Sequence, residues 1–387
     1  MIKCFYRICA VVLALFLFGC AAAEPETGAE RLTIVSWNVQ SLFDGSDDGF
    51  EYNEFKSGTG WNSEKYLARL NGIAGALKGD GPEPDILALI EIENAAVIRD
   101  LAESVSPDYR WTFFAGALDG SLGMGIVSRL PLIETRTHSC YVPSGGIPRP
   151  VAEVWVDTGS GPLVLFVCHW KSKLGGESKT EVLRRFGAAL ILRRLGEIEA
   201  EDPEIPVVIV GDLNENYDEF TRIGEAYPCA LLPDTGKAAA LMGNVPAGLR
   251  PGFRDFFVVS GQKPPRTDFF NKTAAAVYSP WLEDVPHQGS FYYKKKDTWE
   301  TIDHFLLNAA LFNRQERPAE SDRPAEPGSP VPLGRPTMPG WEYGQFRVLA
   351  EPPFTNADGL PQSYNPRTGN GLSDHLPIVL VLYSKQE

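Results

Sequence analysis

Short apolar runs alternate along the chain with stretches of helical periodicity, and this alternation is its main structural signal. The runs are mostly β-branched and are bounded by Gly, Pro or Asp, which is typical of strands. They predict strands over Leu32–Trp37, Ile86–Ile90, Gly125–Ser128, Val151–Val156, Leu163–Cys168, Val207–Val210, Thr301–Leu307 and Ile378–Leu382. Helices are predicted between them over Ser63–Leu77, Ala95–Glu103 and Lys179–Glu199. Strands grouped in this way between helices indicate a mixed sheet arrangement with the helices outside.

Two stretches lack this alternation. Residues Pro228–Glu300 show weak periodicity and scattered aromatic residues, and residues Phe312–Leu372 hold 11 of the 31 prolines. Such composition favours extended, poorly packed chain. Because apolar strands resume after each stretch, we interpret both as loop insertions, near 228–300 and 312–372, in a domain over residues 32–387.

The N-terminus has the pattern of a targeting segment. Two basic residues are followed by the apolar run Ile8–Gly19, which is too short to span a bilayer, so we predict a secretory signal over residues 1–19. The junction Leu17–Cys20 resembles a bacterial lipobox. It predicts export, lipidation at Cys20, a flexible tether over residues 20–31 and anchoring to a membrane of the bacterial cell envelope. The alternative is a plain cleaved signal that happens to contain a cysteine.

Charge and cysteine content narrow the classes of protein. The chain of 387 residues has a net charge of −14, with 36 Lys plus Arg against 50 Asp plus Glu. This acidity argues against a broad basic surface for polyanions, although a metal cation can still neutralise a local phosphate site. The cysteines that follow Cys20 are Cys140, Cys168 and Cys229, and three cannot all pair, which excludes a disulfide scaffold. Whether Cys140 and Cys229 form a bridge is left open by the sequence.

Polar side chains follow several of the predicted strands at the point where each strand ends. Taken singly, an Asn or Asp in such a place usually forms a turn, and a lone histidine is usually structural. Their recurrence at successive strand ends favours a site instead, because α/β proteins build sites at the carboxyl ends of their strands. The residues concerned are Asn38, Glu91, His169, Asp212, Asn214, Asp303, Asp374 and His375.

In chain order, the motifs that contain these residues resemble those of the endonuclease/exonuclease/phosphatase superfamily, which includes deoxyribonuclease-like phosphodiesterases. The motifs are WN (37–38), LIE (89–91), HWKSK (169–173), GDLN (211–214), IDH (302–304) and SDHLP (373–377). The resemblance spans residues 32–383, and the pairing of GDLN with a terminal SDHLP is specific. It implies a four-layer α/β sandwich of two mixed β-sheets flanked by helices.

The resemblance also implies a role for each residue. Mg²⁺, for which Mn²⁺ substitutes, would be bound by Glu91, Asn38 and Asp374. Asp212 and Asn214 would orient the attacking water or a phosphoryl oxygen, and His169 would donate to a phosphate or leaving oxygen. Asp303 would hold the ring of His375, which acts either as general base or as phosphate contact. Arg149, Lys171 and Lys173 are candidate contacts for substrate phosphates.

Two questions of role remain open at this level. Either Asp212 or His375 takes the proton of the attacking water. Glu93 lies on the same strand face as Glu91 by the period of two, although the motif register favours Glu91 as the metal ligand.

These observations predict an exported, monomeric, Mg²⁺-dependent phosphodiesterase, and specifically a nuclease, because the HWKSK block resembles that of secreted bacterial nucleases. A phosphodiesterase or phosphatase of the same fold acting on phospholipid or inositol phosphate headgroups is the alternative. Phe291–Tyr293 beside Lys294–Lys296 is a small candidate for contact with such lipids. A binding lipoprotein with a degenerate site is disfavoured, since none of the expected ligands or bases is missing.

Overall fold

The computed structural model describes residues 30–79, 83–117, 120–139, 149–234, 255–264, 276–312 and 340–384. The predicted signal, the lipidation site Cys20 and Cys140 lie outside these ranges. Lipidation therefore stays a prediction, and the pairing of Cys140 with Cys229 stays open. Within the described ranges, no helix has the length and apolar character needed to cross a membrane.

The described residues form sixteen strands and four α-helices. The strands are β1 (Arg31–Leu42), β2 (Ile86–Ile92), β3 (Trp111–Ala115), β4 (Gly123–Ser128), β5 (Leu132–His138), β6 (Val151–Asp157), β7 (Pro162–His169), β8 (Val207–Asp212), β9 (Leu231–Pro233), β10 (Phe257–Ser260), β11 (Ala276–Tyr278), β12 (Phe291–Tyr293), β13 (Thr298–Glu300), β14 (Asp303–Leu307), β15 (Trp341–Val348) and β16 (Ile378–Ser384). The helices are α1 (Ser63–Lys78), α2 (Ala95–Val105), α3 (Glu177–Glu201) and α4 (Glu219–Arg222).

Fourteen of the strands form two large sheets, and β12 and β13 form a separate hairpin. The first sheet has the order β15-β16-β1-β2-β4-β3, and the second has the order β5-β6-β7-β8-β14-β11-β10-β9. Both sheets are mixed, since β1 pairs in parallel with β2, and β7 with β8, while antiparallel strands flank these pairs. The parallel pairs bring four carboxyl ends to one edge of the molecule.

Alternation along the strands explains how the sheets pack into layers. In β1, Leu32 and Ile34 pack in the core between the two sheets. Val35 and Trp37 point the other way and pack against α1 and α2. On the far side of the second sheet, the apolar face of α3 packs on alternate residues of β7 and β8. This arrangement confirms the predicted four-layer α/β sandwich with two mixed sheets.

The two unpatterned stretches contain more regular structure than their composition indicated. The first supplies β9, β10 and β11 to one edge of the second sheet, where Leu231, Phe257 and Val277 are fully buried. The second supplies β15 to the edge of the first sheet. The expectation of poorly packed chain is therefore wrong for these parts. Strands β9, β10 and β11 have only three or four residues, which is too short for a sequence period to be recognised.

Candidate active site

The predicted site residues converge at one edge of the sandwich because the strand registers bring them there. His169, the last residue of β7, is paired with Asp212, the last residue of β8. Asp303 opens the antiparallel neighbour β14 and is paired with the same Asp212. Asn38 lies in β1 opposite Ile90 of the parallel strand β2, one residue before Glu91.

Glu91 and Asn38 form the rim of the site on the first sheet. The Glu91 backbone has φ of 65°, where the register between β1 and β2 shifts. This conformation turns its carboxylate toward the site, where Oε2 accepts from the backbone and hydroxyl of Ser41 at 2.8 and 3.0 Å. The buried Asn38 amide donates to Glu91 Oε1 at 3.3 Å and to Asp212 Oδ2 at 3.1 Å. Asn38 thus links the carboxylates of both sheets as a donor.

The structure separates Glu91 from Glu93, which the strand period alone could not. The Glu93 carboxylate accepts from the backbone N–H of Asp44 at 2.6 Å, in the loop after β1. Burial raises the pKa of Glu93 to about 8, and acidic neighbours led by Asp44 add to this effect. The carboxylate that contacts Asn38 belongs to Glu91, so the geometry favours Glu91 as the metal ligand.

A buried arginine of α1 shapes the turn on which the Glu91 contacts depend. Gln40 and Ser41 have φ of 54° and 56°, in the left-handed region that non-glycine residues seldom adopt. The Arg69 guanidinium donates to the carbonyls of Val39, Gln40 and Ser41, and it lies 3.7 Å from the ring centroid of Tyr364. Three charge-assisted hydrogen bonds hold this turn, and no local sequence pattern marked Arg69 for that role.

Asp303 and His375 form a tight pair at the centre of the site. Nδ1 of His375 lies 2.7 Å from Asp303 Oδ2, which also accepts from the Ser290 hydroxyl at 2.6 Å. Burial lowers the pKa of His375, but the Asp303 carboxylate outweighs burial and raises the pKa to about 10. The ion pair favours the charged form of the imidazole and commits Nδ1 to Asp303. The other carboxylate oxygen, Asp303 Oδ1, is buried without a hydrogen-bond partner.

Asp212 lies beside this pair with a partly neutralised carboxylate. One of its oxygens accepts from Asn38, and the other accepts from the backbone N–H of Asn214 at 2.8 Å. Burial and the nearby Asp303 raise the pKa of Asp212 to about 7. Asn214 has φ of 51°, and its amide donates to the carbonyl of Trp170 at 3.1 Å. The GDLN turn is thereby fixed to the end of β7.

His169 is buried between the carboxylates of the two sheets. Its Nε2 lies 3.6 Å from Asp212 Oδ2 and 3.7 Å from Glu91 Oε1, and its Nδ1 has no hydrogen-bond partner. Burial holds the pKa of His169 well below its usual value, and the nearby Arg149 charge acts in the same direction. The lowered pKa favours the neutral ring, whose single N–H can donate a hydrogen bond to an oxygen bound between the sheets.

Hydrogen bonds across the site fix the SDHLP turn to β1. The Ser373 hydroxyl donates to the carbonyl of Asn38 at 2.6 Å and accepts from the backbone N–H of His375 at 3.0 Å. The indole of Trp37 donates to the carbonyl of His375 at 3.0 Å. The WN motif therefore has two functions, since it supplies Asn38 to the site and its Trp37 holds the backbone of His375. Sequence analysis assigned no role to Ser373 or Trp37, although both stand in the motifs, and it did not identify Ser290.

The site has the donors that a hard divalent cation requires. Glu91 is partly exposed, and Asp374 lies close enough that their charges interact. Burial raises the pKa of Asp374, His375 opposes this shift, and Glu91 adds to it. Two carboxylates that repel each other at a partly open rim fit Mg²⁺, which takes few carboxylates and keeps several waters. Asp212, Asp303 and His375 form a second group, with ligand atoms within 4.8 Å of one another.

The three basic residues predicted to contact phosphate differ in their surroundings. Arg149 donates to the carbonyl of Trp170 at 3.0 Å, beside the His169 ring. Burial and the charge of Arg149 lower the pKa of Lys171, which places these two cations together near His169. Lys173 instead pairs with Glu219 at 2.6 Å and with Glu300 at 3.6 Å. Its charge is neutralised within the protein, so its role toward phosphate stays a prediction without structural support.

A separate set of buried side chains lies behind the GDLN turn. It consists of Glu181, Glu215 and Cys229, and we call it the glutamate cluster. The Arg184 guanidinium lies among them, 2.6 Å from Glu181 Oε2 and 3.1 Å from Glu215 Oε2. It also donates to the carbonyl of Lys171 at 2.9 Å. Glu215 belongs to the loop that begins at Asp212, so Arg184 joins that loop to the block after His169.

The chain is similar to one family of known proteins. The profile of the Endonuclease/Exonuclease/phosphatase family matches residues 35–329. A search of curated sequences found no match. Among solved structures, a humanised D. rerio TDP2 with 14 mutations is 16% identical, with coverage of 91% of this chain and 98% of that one and a TM-score of 0.48.

Two structures from Bacteroides thetaiotaomicron are also similar. An endonuclease/exonuclease/phosphatase family protein is 15% identical, with coverage of 93% and 100% of the two chains and a TM-score of 0.48. A mannosyl-6-phosphatase is 15% identical, with coverage of 91% and 99% and a TM-score of 0.46. The family profile covers well over half of the sequence, and its matched range includes Asn38, Glu91, His169, Asp212 and Asp303. The chain belongs to the endonuclease/exonuclease/phosphatase family and is a metal-dependent hydrolase of phosphate esters.

Proposed function

We propose that this enzyme is a Mg²⁺-dependent nuclease that hydrolyses phosphodiester bonds of nucleic acids. The observation that carries the proposal is the contact of Glu91, Asn38 and Asp212 across the two sheets, with His169 against them and the Asp303–His375 pair beside them. A phosphodiester bound there would contact the metal ion held at the rim, the neutral His169 ring and the charged imidazole of His375. This is the combination that a developing phosphoryl charge requires.

The metal would be held at the rim by Glu91 and Asp374, with Asn38 as a donor to the ligand carboxylate. A bound Mg²⁺ supplies charge to a phosphoryl oxygen and makes a bound water more acidic. The side-chain amide of Asn38 orients the Glu91 carboxylate by donating a hydrogen bond to it. Loss of that hydrogen bond would leave the carboxylate free to turn away from the rim.

Proton transfer falls to residues on the second sheet. Asp212, with a pKa raised to about 7, is suited to accept the proton of the attacking water near neutral pH. His375 is held in its charged form by Asp303 and contacts the phosphoryl group through Nε2. Of the two assignments left open by the motifs, we therefore propose Asp212 as the base and His375 as the phosphate contact. The neutral His169 ring donates a hydrogen bond to the leaving oxygen, which takes its proton from solvent water.

Two features support a nucleic acid over a smaller phosphate ester. Arg149 and Lys171 lie together beside His169, where they would contact phosphates next to the scissile one. In a chain with net charge of −14, cations grouped at the site concentrate attraction for a polyanion there.

A substrate panel tests the proposal. Single-stranded DNA, plasmid DNA, RNA, phospholipid vesicles, inositol phosphates and sugar phosphates are incubated with the purified protein and Mg²⁺, Mn²⁺ or EDTA. We expect cleavage of nucleic acids with either metal, none with EDTA, and at least tenfold slower turnover of the other esters. Turnover confined to lipid, inositol or sugar phosphates would contradict the nuclease and leave the phosphoesterase intact.

We also propose that the protein is exported and anchored to a membrane of the bacterial envelope by a lipid on Cys20. The proposal is supported by the apolar run Ile8–Gly19 and the lipobox-like junction that follows it. Cells labelled with a palmitate analogue should mark the wild-type protein, and Cys20→Ala should abolish the label. An unlabelled wild type would leave the plain signal as the explanation, and a label that persists in Cys20→Ala would contradict lipidation at Cys20.

A further inference from the structure

The hairpin formed by β12 and β13 is attached directly to the catalytic histidine. Phe291 at the start of β12 forms an isolated antiparallel bridge with His375. The backbone N–H of Leu376 donates to the carbonyl of Ser290 at 2.7 Å, and the Ser290 hydroxyl donates to Asp303. The hairpin therefore starts at the Asp303–His375 pair and extends away from it.

One face of this hairpin carries a row of rings that leads outward from His375. The centroid of the Phe291 ring lies 4.8 Å from that of His375. Tyr293 follows at 6.4 Å, with its ring plane within 25° of that of Phe291. All three residues of β12 are only half-buried. Because side chains alternate across a strand, Tyr292 points to the opposite face and packs on Trp299 at 5.2 Å.

The row ends in positive charge. The Lys296 ammonium lies 5.7 Å from the centroid of the Tyr293 ring and 3.3 Å from Glu177. Lys294 and Lys295 are exposed at the turn. Three consecutive lysines stand out in a chain with a net charge of −14, and here they continue a line of rings that begins at the reacting centre.

We propose that this face of the hairpin is a subsite for the nucleotide next to the scissile phosphate, an inference that rests on the proposed nuclease function. Phe291 and Tyr293 stack on the base, and Lys294 and Lys295 bind the following phosphates. Stacking on an aromatic face is available to any base and requires that the base be unpaired. The subsite therefore favours single-stranded over duplex substrate and has little sequence preference.

The structure favours this occupant over a lipid bilayer. A hairpin that inserts into a bilayer presents apolar residues at its tip, whereas residues 294–297 of this tip are all charged. The rings lie at the other end, against His375. Rings beside the reacting centre with cations farther out match the alternation of base and phosphate along a single strand.

A double-mutant cycle between one side chain and one base tests the proposal. Single-stranded oligonucleotides with one cut site are made with a baseless residue at each position around that site. For the wild type, loss of the base at one position should lower kcat/KM roughly 5- to 150-fold, the range for base–aromatic stacking. Tyr293→Leu should lower kcat/KM on the intact strand by a similar factor and remove the sensitivity to that base. Tyr293→Phe keeps the ring and should keep the coupling.

Tyr292→Leu is the matched control, because it removes a ring from the opposite face of the same strand, and it should leave the coupling intact. Equal sensitivity to the missing base in the wild type and Tyr293→Leu, at every position, overturns the subsite while the nuclease function stands. A wild type that cuts no oligonucleotide but hydrolyses other phosphate esters overturns both. Loss of binding to phosphatidylglycerol vesicles in Tyr293→Leu, without coupling to a base, assigns the rings to a membrane instead.

The lysines provide an independent arm. In binding measured under Ca²⁺ at several salt concentrations, Lys294→Ala/Lys295→Ala should reduce the slope of log affinity against log salt by about 1.4 for single strands. Lys78→Ala, which removes an exposed lysine at the end of α1, should leave the slope unchanged. An unchanged slope in the double variant contradicts phosphate binding at the turn.

Discussion

Two groups of buried side chains that could bind a metal lie on the two sides of the GDLN turn. Their ligand atoms are equally close together, but their hydrogen bonding differs. The catalytic group is Asp212, Asp303 and His375, and the glutamate cluster lies behind it. In each group the ligand atoms lie within 4.8 Å of one another. Distance alone would make both of them metal sites.

Hydrogen bonding separates the two groups. In the glutamate cluster every carboxylate oxygen has a partner, since Arg184 donates to one oxygen of each glutamate and the backbones of Ala230 and Leu231 donate to the others at 2.8 and 2.7 Å. In the catalytic group, Asp303 Oδ1 has none. A buried cluster that is fully satisfied has a structural role, whereas one with an unpaired oxygen retains capacity for a ligand.

The largest expected effect separates the groups by activity. His375→Ala and Asp212→Ala should each lower turnover of plasmid DNA by about a hundredfold or more, since each removes a group that acts on the reacting atoms. His138→Ala and Asp218→Ala, which remove the same side-chain types from outside the site, should leave turnover within about twofold. Circular dichroism checks that the variants remain folded. Unchanged turnover for His375→Ala would contradict a role of His375 at the reacting atoms.

The stability of the fold should depend strongly on the glutamate cluster. Arg184→Met removes the only cation between Glu181 and Glu215 among the described residues, and should lower the free energy of unfolding by about 3–5 kcal/mol. Arg193, on the exposed face of the same helix, pairs with Glu197 at 3.1 Å. Arg193→Met should cost less than about 1 kcal/mol. Urea titrations of both variants measure the difference, and equal costs would remove the distinction.

The Mg²⁺ concentration that the enzyme requires should distinguish Glu91, at the rim of the site, from Glu93. Glu91→Gln should raise the Mg²⁺ concentration for half-maximal rate by roughly ten- to a hundredfold, because a carboxylate at the hard cation is replaced by a weaker amide ligand. Glu93→Gln should leave it nearly unchanged, since Glu93 accepts from Asp44 instead. The reverse result would assign the metal to Glu93.

Acid should weaken the support behind the GDLN turn through a histidine of β14. His304 is fully buried, its Nε2 donates to the carbonyl of Glu215 at 2.8 Å, and burial lowers its pKa to about 4. The unfolded chain takes up this proton first as pH falls below about 6.5. Stability that is fully present above pH 6.5 is thus lost toward pH 4, on the order of 3 kcal/mol. His304→Gln should flatten unfolding free energy over this window, and an unaltered pH profile would contradict the assignment.

The smallest expected effect concerns the two lysines of the HWKSK block. Lys171→Ala should reduce the salt dependence of duplex DNA binding by about one phosphate contact, a slope change of roughly 0.9. Lys173→Ala should change the slope less, because Glu219 already neutralises Lys173. Fluorescence anisotropy under Ca²⁺ at several salt concentrations measures both slopes. A larger change for Lys173→Ala would show that its ion pair opens for substrate.

The sequence predicted the central strands well and the edge strands poorly, for a physical reason. Central strands such as β7 are buried on both faces and read as continuous apolar runs. The edge strand β5 is exposed along most of its length, and its sequence LIETRTH shows no comparable run. Its position depends on backbone hydrogen bonds to β6, and the sequence of β5 itself does not reveal them.

The same limit applies to the candidate site. The side chains that contact the proposed reacting atoms, such as Asp212 and His375, stand in short motifs at strand ends and were found from them. The residues that position them, such as Arg69, Ser290 and Arg184, act across large sequence separations and stand in no motif. Only the folded chain brings these partners together.

One measurement tests the central claim that the catalytic group performs the hydrolysis and the glutamate cluster only supports it. Asp303→Asn and Glu181→Gln each replace one buried carboxylate by an amide of the same shape. The initial rate of DNA cleavage at saturating Mg²⁺, per folded molecule, should fall about a hundredfold or more for Asp303→Asn. It should stay within about threefold of the wild type for Glu181→Gln. A wild-type rate for Asp303→Asn, or an equal loss in both variants, would contradict the account.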